Sequence, residues 1–547
     1  VGSEMCIRDR SRNTEWQLGK FDGTSSTYDV STPAYTGERA EDLIEFFDAE
    51  GNKINYLTTI ETGATIEIDS YKHHHMYGFN LENDDTHEPL DGTFTYHSNN
   101  ENVVTVVNGV ITAGTHTGTA IITITHDSGI TSEISLTVTQ AGRTATPMVA
   151  GGSEFAVALL DNGEVWTWGS NEKGQLGNGL TENTTYPVQV SLPEGVKAKY
   201  VAAGINTAYA VTTDGYVYAW GNNENGMIGN GTSDKDEVNR TPVRVQEKTS
   251  TGVLVDLSNI ARIAVGENHV LALSNDGYVY AWGGNEHGQL GIGYAGEDVI
   301  YPTRVLKGDS ASDREYLSNI IAIEAGNAYS LALRNDGTVF AWGEVSNGKL
   351  GTVISSDVYT PAQVWKGESD TDTWYLENVI KISAGSEHSA VINNRNEVYT
   401  WGKNTNGQLG NGTTNNSTTP VRVRNQWMDG SDQLAIEISA GGEHTVVVTK
   451  SGTVYAWGLD AEGQVGLGAL VSGADKQTSY LVPQQIASGD STSTDDLYFR
   501  DALTVSAGNA HVTLLKKDGS VWSWGRNEEG QLGDFTNAQH NAAVQTG

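Results

Sequence analysis

Ala384-Gly385-Ser-Glu-His388-Ser-Ala-Val-Ile-Asn393-Asn-Arg-Asn396-Glu397-Val-Tyr-Thr-Trp401-Gly402-Lys-Asn-Thr-Asn-Gly-Gln-Leu-Gly410 is the stretch whose reading decides the fold. Val379-Ile-Lys-Ile-Ser383, just upstream, alternates apolar and polar as a strand does. Ala384-Gly-Ser-Glu-His388 is a turn, Ser389-Ala-Val-Ile-Asn393 a second strand, and Asn394-Arg-Asn396 a second turn. Glu397-Val-Tyr-Thr-Trp401 is a third strand, and Gly402 to Gly410 a Gly-rich loop. Thr419-Pro-Val-Arg-Val423 closes the unit as a fourth strand. Pro420 cannot donate to a ladder, which places that strand at an outer edge. The four strands are named A to D below.

Seven copies of this unit fill residues 148–547, with Trp-Gly pairs at Trp168, Trp220, Trp282, Trp342, Trp401, Trp457 and Trp524. Successive Trp residues are 52, 62, 60, 59, 56 and 67 positions apart. One small sheet cannot bury its own face, so units of this period must stack, and strand-length pieces with Gly turns stack radially. A Trp needed once per unit packs between units, with its Gly allowing close backbone approach, and is not a ligand platform.

Composition narrows the function classes. The chain has 547 residues, 33 basic and 68 acidic, for a formal charge of −35. General electrostatic binding to nucleic acid or anionic membrane needs clustered cations and is excluded as an expectation; cationic partners are favoured. One cysteine, Cys6, allows no internal disulfide. No apolar run is long enough to cross a bilayer. Residues 1–10, VGSEMCIRDR, read as translated sequencing-adapter sequence, so the absent signal peptide carries no weight.

Residues 11–56 read as the remnant of an upstream β module. Leu43-Ile-Glu-Phe-Phe47, a turn and Lys53-Ile-Asn-Tyr56 suggest strand, turn and strand, with a short helix over 39–48 as the competing reading. Beyond 57 the alternation is cleaner. Strands are expected at Thr65-Ile-Glu-Ile-Asp69, Phe94-Thr-Tyr-His-Ser98, Thr119-Ala-Ile-Ile-Thr-Ile-Thr125 and Glu133-Ile-Ser-Leu-Thr-Val-Thr139. Val103-Val-Thr-Val-Val107, Asn108-Gly109 and Val110-Ile-Thr112 predict a tight hairpin with a primed turn. Short strands at this interval predict a β-sandwich. On Ser98-Asn-Asn-Glu-Asn-Val-Val-Thr-Val106, Asn108-Gly-Val-Ile-Thr112, Gly118-Thr-Ala-Ile-Ile-Thr-Ile124 and Leu136-Thr-Val138, residues 57–140 resemble the bacterial immunoglobulin-like domain, group 2. That resemblance implies a spacer in a secreted or surface-attached bacterial protein.

The repeat resembles the regulator of chromosome condensation repeat family, which implies a seven-bladed β-propeller over 148–547. The family's nucleotide-exchange member acts on a small nuclear GTPase through a projecting element in one blade and meets chromatin through basic segments. No basic tail and no obvious projecting hairpin is apparent here. Another member is a secreted bacterial inhibitor that grips a β-lactamase with the rim of its ring. Two copies depart from the pattern. The fourth reads Glu344-Val-Ser-Asn-Gly-Lys-Leu-Gly351, and the last ends Ala542-Ala-Val-Gln-Thr-Gly547 without its Pro, which leaves ring closure open.

Candidate chemistry is sparse. His269, His388, His444 and His511 share one position in the unit, which Phe155, Thr207 and Tyr329 fill elsewhere. A site that accepts Phe reads as core, with each His bonding backbone in its own turn, rather than as a metal ring. His73-His74-His75 cannot converge from one strand. Asp-Gly at Asp214, Asp276, Asp336 and Asp518 are hairpin turns. No hydrolase, zinc-protease or phosphate-loop motif appears, so no catalytic residue, metal or cofactor is expected.

The informative variation lies in the connections from strand D to the next strand A, which share one face with the Asp-Gly turns. They are polar and acidic, and variable loops on a rigid ring carry binding function. The candidate binding residues are Asp313, Asp370, Asp372, Trp374, Trp427, Asp429, Asp432, Asp495 and Asp496. The chain therefore reads as all-β, a seven-bladed propeller behind an Ig-like β-sandwich. The expected function is extracellular or cell-surface bacterial binding or adhesion, without enzymatic activity. The expected partner is a protein or glycan, not nucleic acid, with no membrane insertion. A guanine-nucleotide-exchange-like regulator of a GTPase is the alternative, and a glycan-active enzyme using the funnel is the second.

Overall fold

The computed structural model describes residues 42–47, 53–54, 59–67, 69–74, 88–89, 93–98, 100–114, 118–127, 131–139 and 144–547, the last without 309–314, 367–374, 425–433, 471–476 and 490–496. Every regular element among them is a strand apart from three 3₁₀ turns of three residues each.

Seven four-stranded antiparallel sheets succeed one another over 148–545, each in the order A-B-C-D. In the fifth, A is Val379–Ala384, B His388–Asn393, C Val398–Gly402 and D Ser417–Arg422. B strands are almost wholly buried, because both their faces meet neighbouring sheets; His444–Thr449 is buried throughout. The A strands lie innermost and line a central shaft. The D strands lie outermost, where Pro187, Pro242, Pro302, Pro361, Pro420 and Pro483 are tolerated.

The seven Trp rings are at most 1% exposed. Each indole Nε1 donates to a backbone carbonyl of the preceding sheet: Trp220 to Gln175, Trp282 to Met227, Trp342 to Gln289, Trp401 to Lys349, Trp457 to Gln408 and Trp524 to Gln464, at 2.8–3.0 Å. The acceptor is always the residue at the Gln of Gln-Leu-Gly. The Gly two positions later lies under the indole; a Cβ on Gly410 would sit 2.6 Å from Trp457 Nε1. The repeat motif is thus one interlock written in two halves, Trp-Gly in one sheet and Gln-Leu-Gly in the sheet before.

The same interlock joins last to first. Trp168 Nε1 donates to Gln531 O at 2.9 Å, and the first A strand, Met148–Gly151, packs against Ala502–Ala507 and His511–Lys516 of the seventh sheet. Among the described residues no strand is shared across this seam. Hydrogen bonds and an ion pair close it: Gly151 N donates to Ser506 Oγ at 2.9 Å and Phe535 N to Thr185 O at 2.8 Å, and Arg526 pairs with Glu154 at 3.1 Å. The final strand, His540–Gln545, completes the seventh sheet without a Pro.

In the N-terminal part, Asp42–Phe47 is a strand rather than a helix; it pairs with Lys53–Ile54 and along its length with Asp69–His74, so this sheet takes strands from both sides of Tyr56. Phe94–Ser98, Gly118–His126, Thr131–Thr139 and Thr59–Glu61 form a second sheet. Val104–Val107, Val110–Ala113 and Thr65–Glu67 form a third. The second and third share one core, including Val104, Ile111, Ile122, Ile124, Leu136 and Val138. The expected Asn108-Gly109 turn has φ values of 51° and 80°, as a primed hairpin needs.

Candidate functional site

Chain direction puts the D-to-A connections on one face of the ring, and the A-B turns with the Gln-Leu-Gly loops on the other. The candidate binding residues Asp313, Asp370, Asp372, Trp374, Trp427, Asp429, Asp432, Asp495 and Asp496 all lie outside the described residues. The bases of three of these connections are described. Each is pinned by a bridge: Leu306 to Tyr316, Trp365 to Tyr375, and Ala487 to Tyr498. The next residue, Leu317, Leu376 or Phe499, is buried, while each Tyr stays 36–39% exposed.

Between the second and third sheets the connection is a two-stranded hairpin, Gln246–Lys248 with Leu254–Asp256, in register Gln246↔Asp256, Glu247↔Val255 and Lys248↔Leu254. No obvious projecting hairpin was expected from the sequence, and this short pairing was not anticipated there. Its signal was Thr249-Ser-Thr-Gly252 followed by Val253-Leu-Val255, a turn before a short apolar run, too brief to count as a repeat strand. Its first strand packs against Val299–Arg304, strand D of the third sheet. Val253, Leu254 and Val255 are 57%, 46% and 38% exposed. Arg244 holds the base. Its guanidinium lies 4.1 Å from the Tyr216 ring centroid and 3.4 Å from Asp256, and its Nε donates to Tyr218 Oη at 3.0 Å.

The mouth of the shaft on the opposite face is a cavity of about 270 Å³ walled by the seven Gly-containing A-B turns, with Ser153, Glu267, Asn327 and Asn509 among its polar groups. Deeper in, Ser383, Ser439 and Ser506 each accept a backbone N–H from the next sheet at 2.9 Å. Glu324 takes the same place in the fourth sheet and accepts the Ala384 N–H. Burial pushes its carboxyl up to about 8, against the opposing pull of Arg262. Lys381 and Glu437 pair at 2.7 Å in the same shaft.

The four histidines are fully buried. Burial drives His269, His388 and His444 down to about 3 and His511 to about 4, so all four are neutral. Their partners are not in their own turns, as the sequence suggested, but in the next sheet. His269 Nε2 meets Ser330 Oγ at 2.9 Å, and His388 Nε2 meets Thr445 Oγ1 at 2.8 Å. Tyr329, at the same position, meets Ser389 Oγ at 3.1 Å. For His444 and His511 the corresponding residues are Val512 and Ala156, which offer no hydroxyl; both ring nitrogens of His444 are without a partner among the described residues, while His511 faces the Ser153 backbone of the first sheet. His388→Phe is therefore expected to cost about 1–2 kcal/mol, the scale of a lost buried bond. His444→Phe is expected to be neutral or stabilising, since it removes an unsatisfied group. Urea midpoints ranked the other way would refute this assignment.

The fourth copy's departure is also explained. Lys349 replaces the usual Gln and is fully buried. Its Nζ bonds Glu344 in its own sheet and Glu387 of the next at 3.1 Å, while its carbonyl keeps the indole bond. Among the described residues no group of three or more His, Cys, Asp or Glu is placed to hold a metal ion, and no helix is long and apolar enough to cross a membrane.

Comparison with known proteins fits the ring. The model of the RCC1-like domain matches residues 246–546. The regulator of chromosome condensation (RCC1) repeat matches 162–211 and 214–273. The ultraviolet-B receptor UVR8 of Arabidopsis thaliana is 30% identical over 387 residues, 71% of this chain and 78% of that protein. Human E3 ubiquitin-protein ligase HERC2 is 27% identical over 391 residues, 70% of this chain but only 7% of that protein. Among solved structures, yeast RCC1 (Prp20) bound to Kap60 aligns with a TM-score of 0.57 at 19% identity, covering 74% of this chain and 85% of that one. Prp20p of Saccharomyces cerevisiae alone aligns at 0.51 and 24% identity, covering 66% and 80%.

These relatives overturn the expectation of an extracellular bacterial adhesion protein, and the glycan ligand expected with it finds no support. The matched proteins are a plant light receptor, mammalian ubiquitin ligases and yeast RCC1. The surface reading stood on the Ig-like resemblance of 57–140, whereas the family models match within 162–546. A scaffold packed by a Trp/Gln-Leu-Gly interlock, matched by the RCC1-like model over more than half of its length, leaves one assignment: the chain belongs to the regulator of chromosome condensation repeat family.

Proposed function

We propose that this chain is a non-catalytic docking protein that regulates a small GTPase, with the 246–256 hairpin as the element that engages it. On this reading the seven sheets act as the blades of a single closed propeller, and residues 57–140 form an Ig-like module carried in front of it. The observation that supports the reading best is the hairpin. It presents three exposed apolar residues on a support held by Arg244, Tyr216, Tyr218 and Asp256 and laid against the third sheet. Exposed apolar residues on a fixed support mark a protein contact. The fold neighbour Prp20p is described by its binding to Gsp1p and histones, so protein partners suit the family.

The acidic connections complete the proposed face. Asp313, Asp370, Asp372, Asp429, Asp432, Asp495 and Asp496, with Trp374 and Trp427, fall in the sequence between a strand D and the next strand A, as the hairpin does. In a chain of charge −35 they would steer a cationic surface toward it, with an effect that fades as salt rises.

Release of a fluorescent GDP analogue from purified Gsp1p tests the reading. The wild-type chain is expected to accelerate release by at least about tenfold. Joint replacement of Val253, Leu254 and Val255 by Asp is expected to abolish the acceleration without moving the melting temperature, because these side chains are solvent-facing. No acceleration by the wild type, or full acceleration by the triple variant, would overturn it.

A further inference from the structure

Register fixes which side chains share a level of the shaft. Tyr200, Arg262, Ala322, Lys381 and Glu437 each face the fifth residue of their own strand B: Val211, Leu273, Leu333, Ile392 and Val448. They therefore stand at one level on the A strands of the second to sixth sheets. Glu324 and the serines lie two residues nearer the A-B turns. Val201, Ile263, Ile323, Ile382 and Ile438, between the two levels, are buried. Arg262 by contrast is exposed, and Tyr200, Glu324, Lys381 and Glu437 keep part of their surface in contact with solvent. Side chains of the innermost strands meet water through the shaft, so the shaft is open at this level.

The two cations of this level differ in their partners. Lys381 holds Glu437 of the next sheet at 2.7 Å. The Arg262 guanidinium makes no ion pair or hydrogen bond among the described residues, and the Tyr200 hydroxyl on the neighbouring strand makes none either. Arg262 acts on Tyr200 and Glu324 through its charge alone. Glu324 is not its counter-ion at neutral pH, because burial holds the proton on that carboxyl up to about 8. A guanidinium carries five donors in a planar fork that matches a carboxylate, and here the protein offers it no acceptor. Ala322 separates Arg262 from Lys381 around the ring. Its methyl group leaves a gap between two cations, where its neighbours carry long side chains.

We propose that the shaft binds a small aliphatic carboxylate in the gap over Ala322, held by Arg262 and Lys381. The guanidinium supplies a bidentate pair of N–H donors, Lys381 a second charge, and the Tyr200 hydroxyl a neutral donor. Aliphatic surface for the rest of the ligand is at hand. Ile321 and Ile380, one position before Ala322 and Lys381, are skipped in the ladder as bulges at the D-to-A end of the shaft, and Ile380 is 43% exposed. The chain's overall charge of −35 is screened over about 8 Å at physiological salt, whereas Arg262 and Lys381 act in contact. The proposal does not rest on the GTPase reading, because the hairpin contributes no residue to it and its test contains no GTPase.

The probe is propionate, titrated against the full chain at pH 7 with saturation transfer to its methyl resonance as the readout. The wild type is expected to give a saturable curve. Arg262→Gln is expected to bind at least about tenfold more weakly, the scale of one lost hydrogen bond to a charged group. Its melting temperature should not change, because the guanidinium holds no other group. Ala322→Leu keeps both cations and fills the gap. The same level already accommodates Tyr200, so this variant is expected to fold and to lose the same affinity. Absence of saturable transfer in the wild type would overturn the proposal, as would wild-type affinity in either variant. A melting temperature lowered by Arg262→Gln, with no propionate bound by the wild type, would assign Arg262 to balancing Glu324 instead.

Discussion

Urea unfolding of the wild-type chain is expected to be hardest near pH 6.5 and easier on either side. The acid limb comes from the four buried histidines. The folded chain keeps them neutral down to about 3 for His269, His388 and His444, and about 4 for His511. The unfolded chain takes up those protons below 6.5. A group whose folded pKa is depressed in this way loses stability as pH falls, by about 1.4 kcal/mol per pH unit for each histidine. Glu324 acts with the opposite sign. Burial keeps its proton on in the folded state up to about 8, while the unfolded chain releases it above its ordinary value. Its contribution therefore declines as pH rises toward 8. Between 4.5 and 6.5 four histidines outweigh one carboxyl; above 6.5 the carboxyl acts alone. Midpoints measured across this range in the wild type, His444→Phe and Glu324→Gln separate the limbs. Glu324→Gln should flatten the alkaline side, and an alkaline slope unchanged by that substitution would exclude the assignment.

Trp168→Ala is expected to cost about 3–5 kcal/mol, the range for removing a large buried ring. The seam makes this position informative. First and last sheets share no strand among the described residues, so closure depends on contacts such as the Trp168 indole bond, the Gly151 bond to Ser506, the Arg526–Glu154 pair and the apolar cluster of Val149, Ala156, Ala158, Trp168 and Leu515. Trp401→Ala, inside the ring, should cost a similar amount, because the interlock is the same. Trp168→Phe keeps most of the volume and should lose about 1–2 kcal/mol with the indole bond. A Trp168→Ala variant with wild-type midpoint would show that the seam is closed by something else.

Much of this was legible in the chain. Alternation gave the strands of the fifth unit to within a residue or two, because side chains on a strand point to opposite faces with a period of two. Recurrence assigned the seven Trp to packing, and their burial agrees. Phe155 at the histidine position indicated core rather than metal. The surface expectation came from the spacer-like pattern of 57–140, and a module in front of a repeat scaffold carries no information about what that scaffold binds. The hairpin was missed because Val253-Leu-Val255 is short and falls in the junction between two units.

The sequence by itself determined the all-β class, the sheet unit and the number of times it is written, since turns and strands are local and each is encoded within a few residues. Only the tertiary structure decided which unit touches which side chain of the next. The His388–Thr445 bond, the Glu324 place in the serine ladder, the Trp168 closure and the Phe535–Tyr186 stack join residues from different sheets. The physical reason is geometric. Such contacts depend on how one twisted sheet rotates onto its neighbour around a shaft, and no period within a single unit carries that rotation.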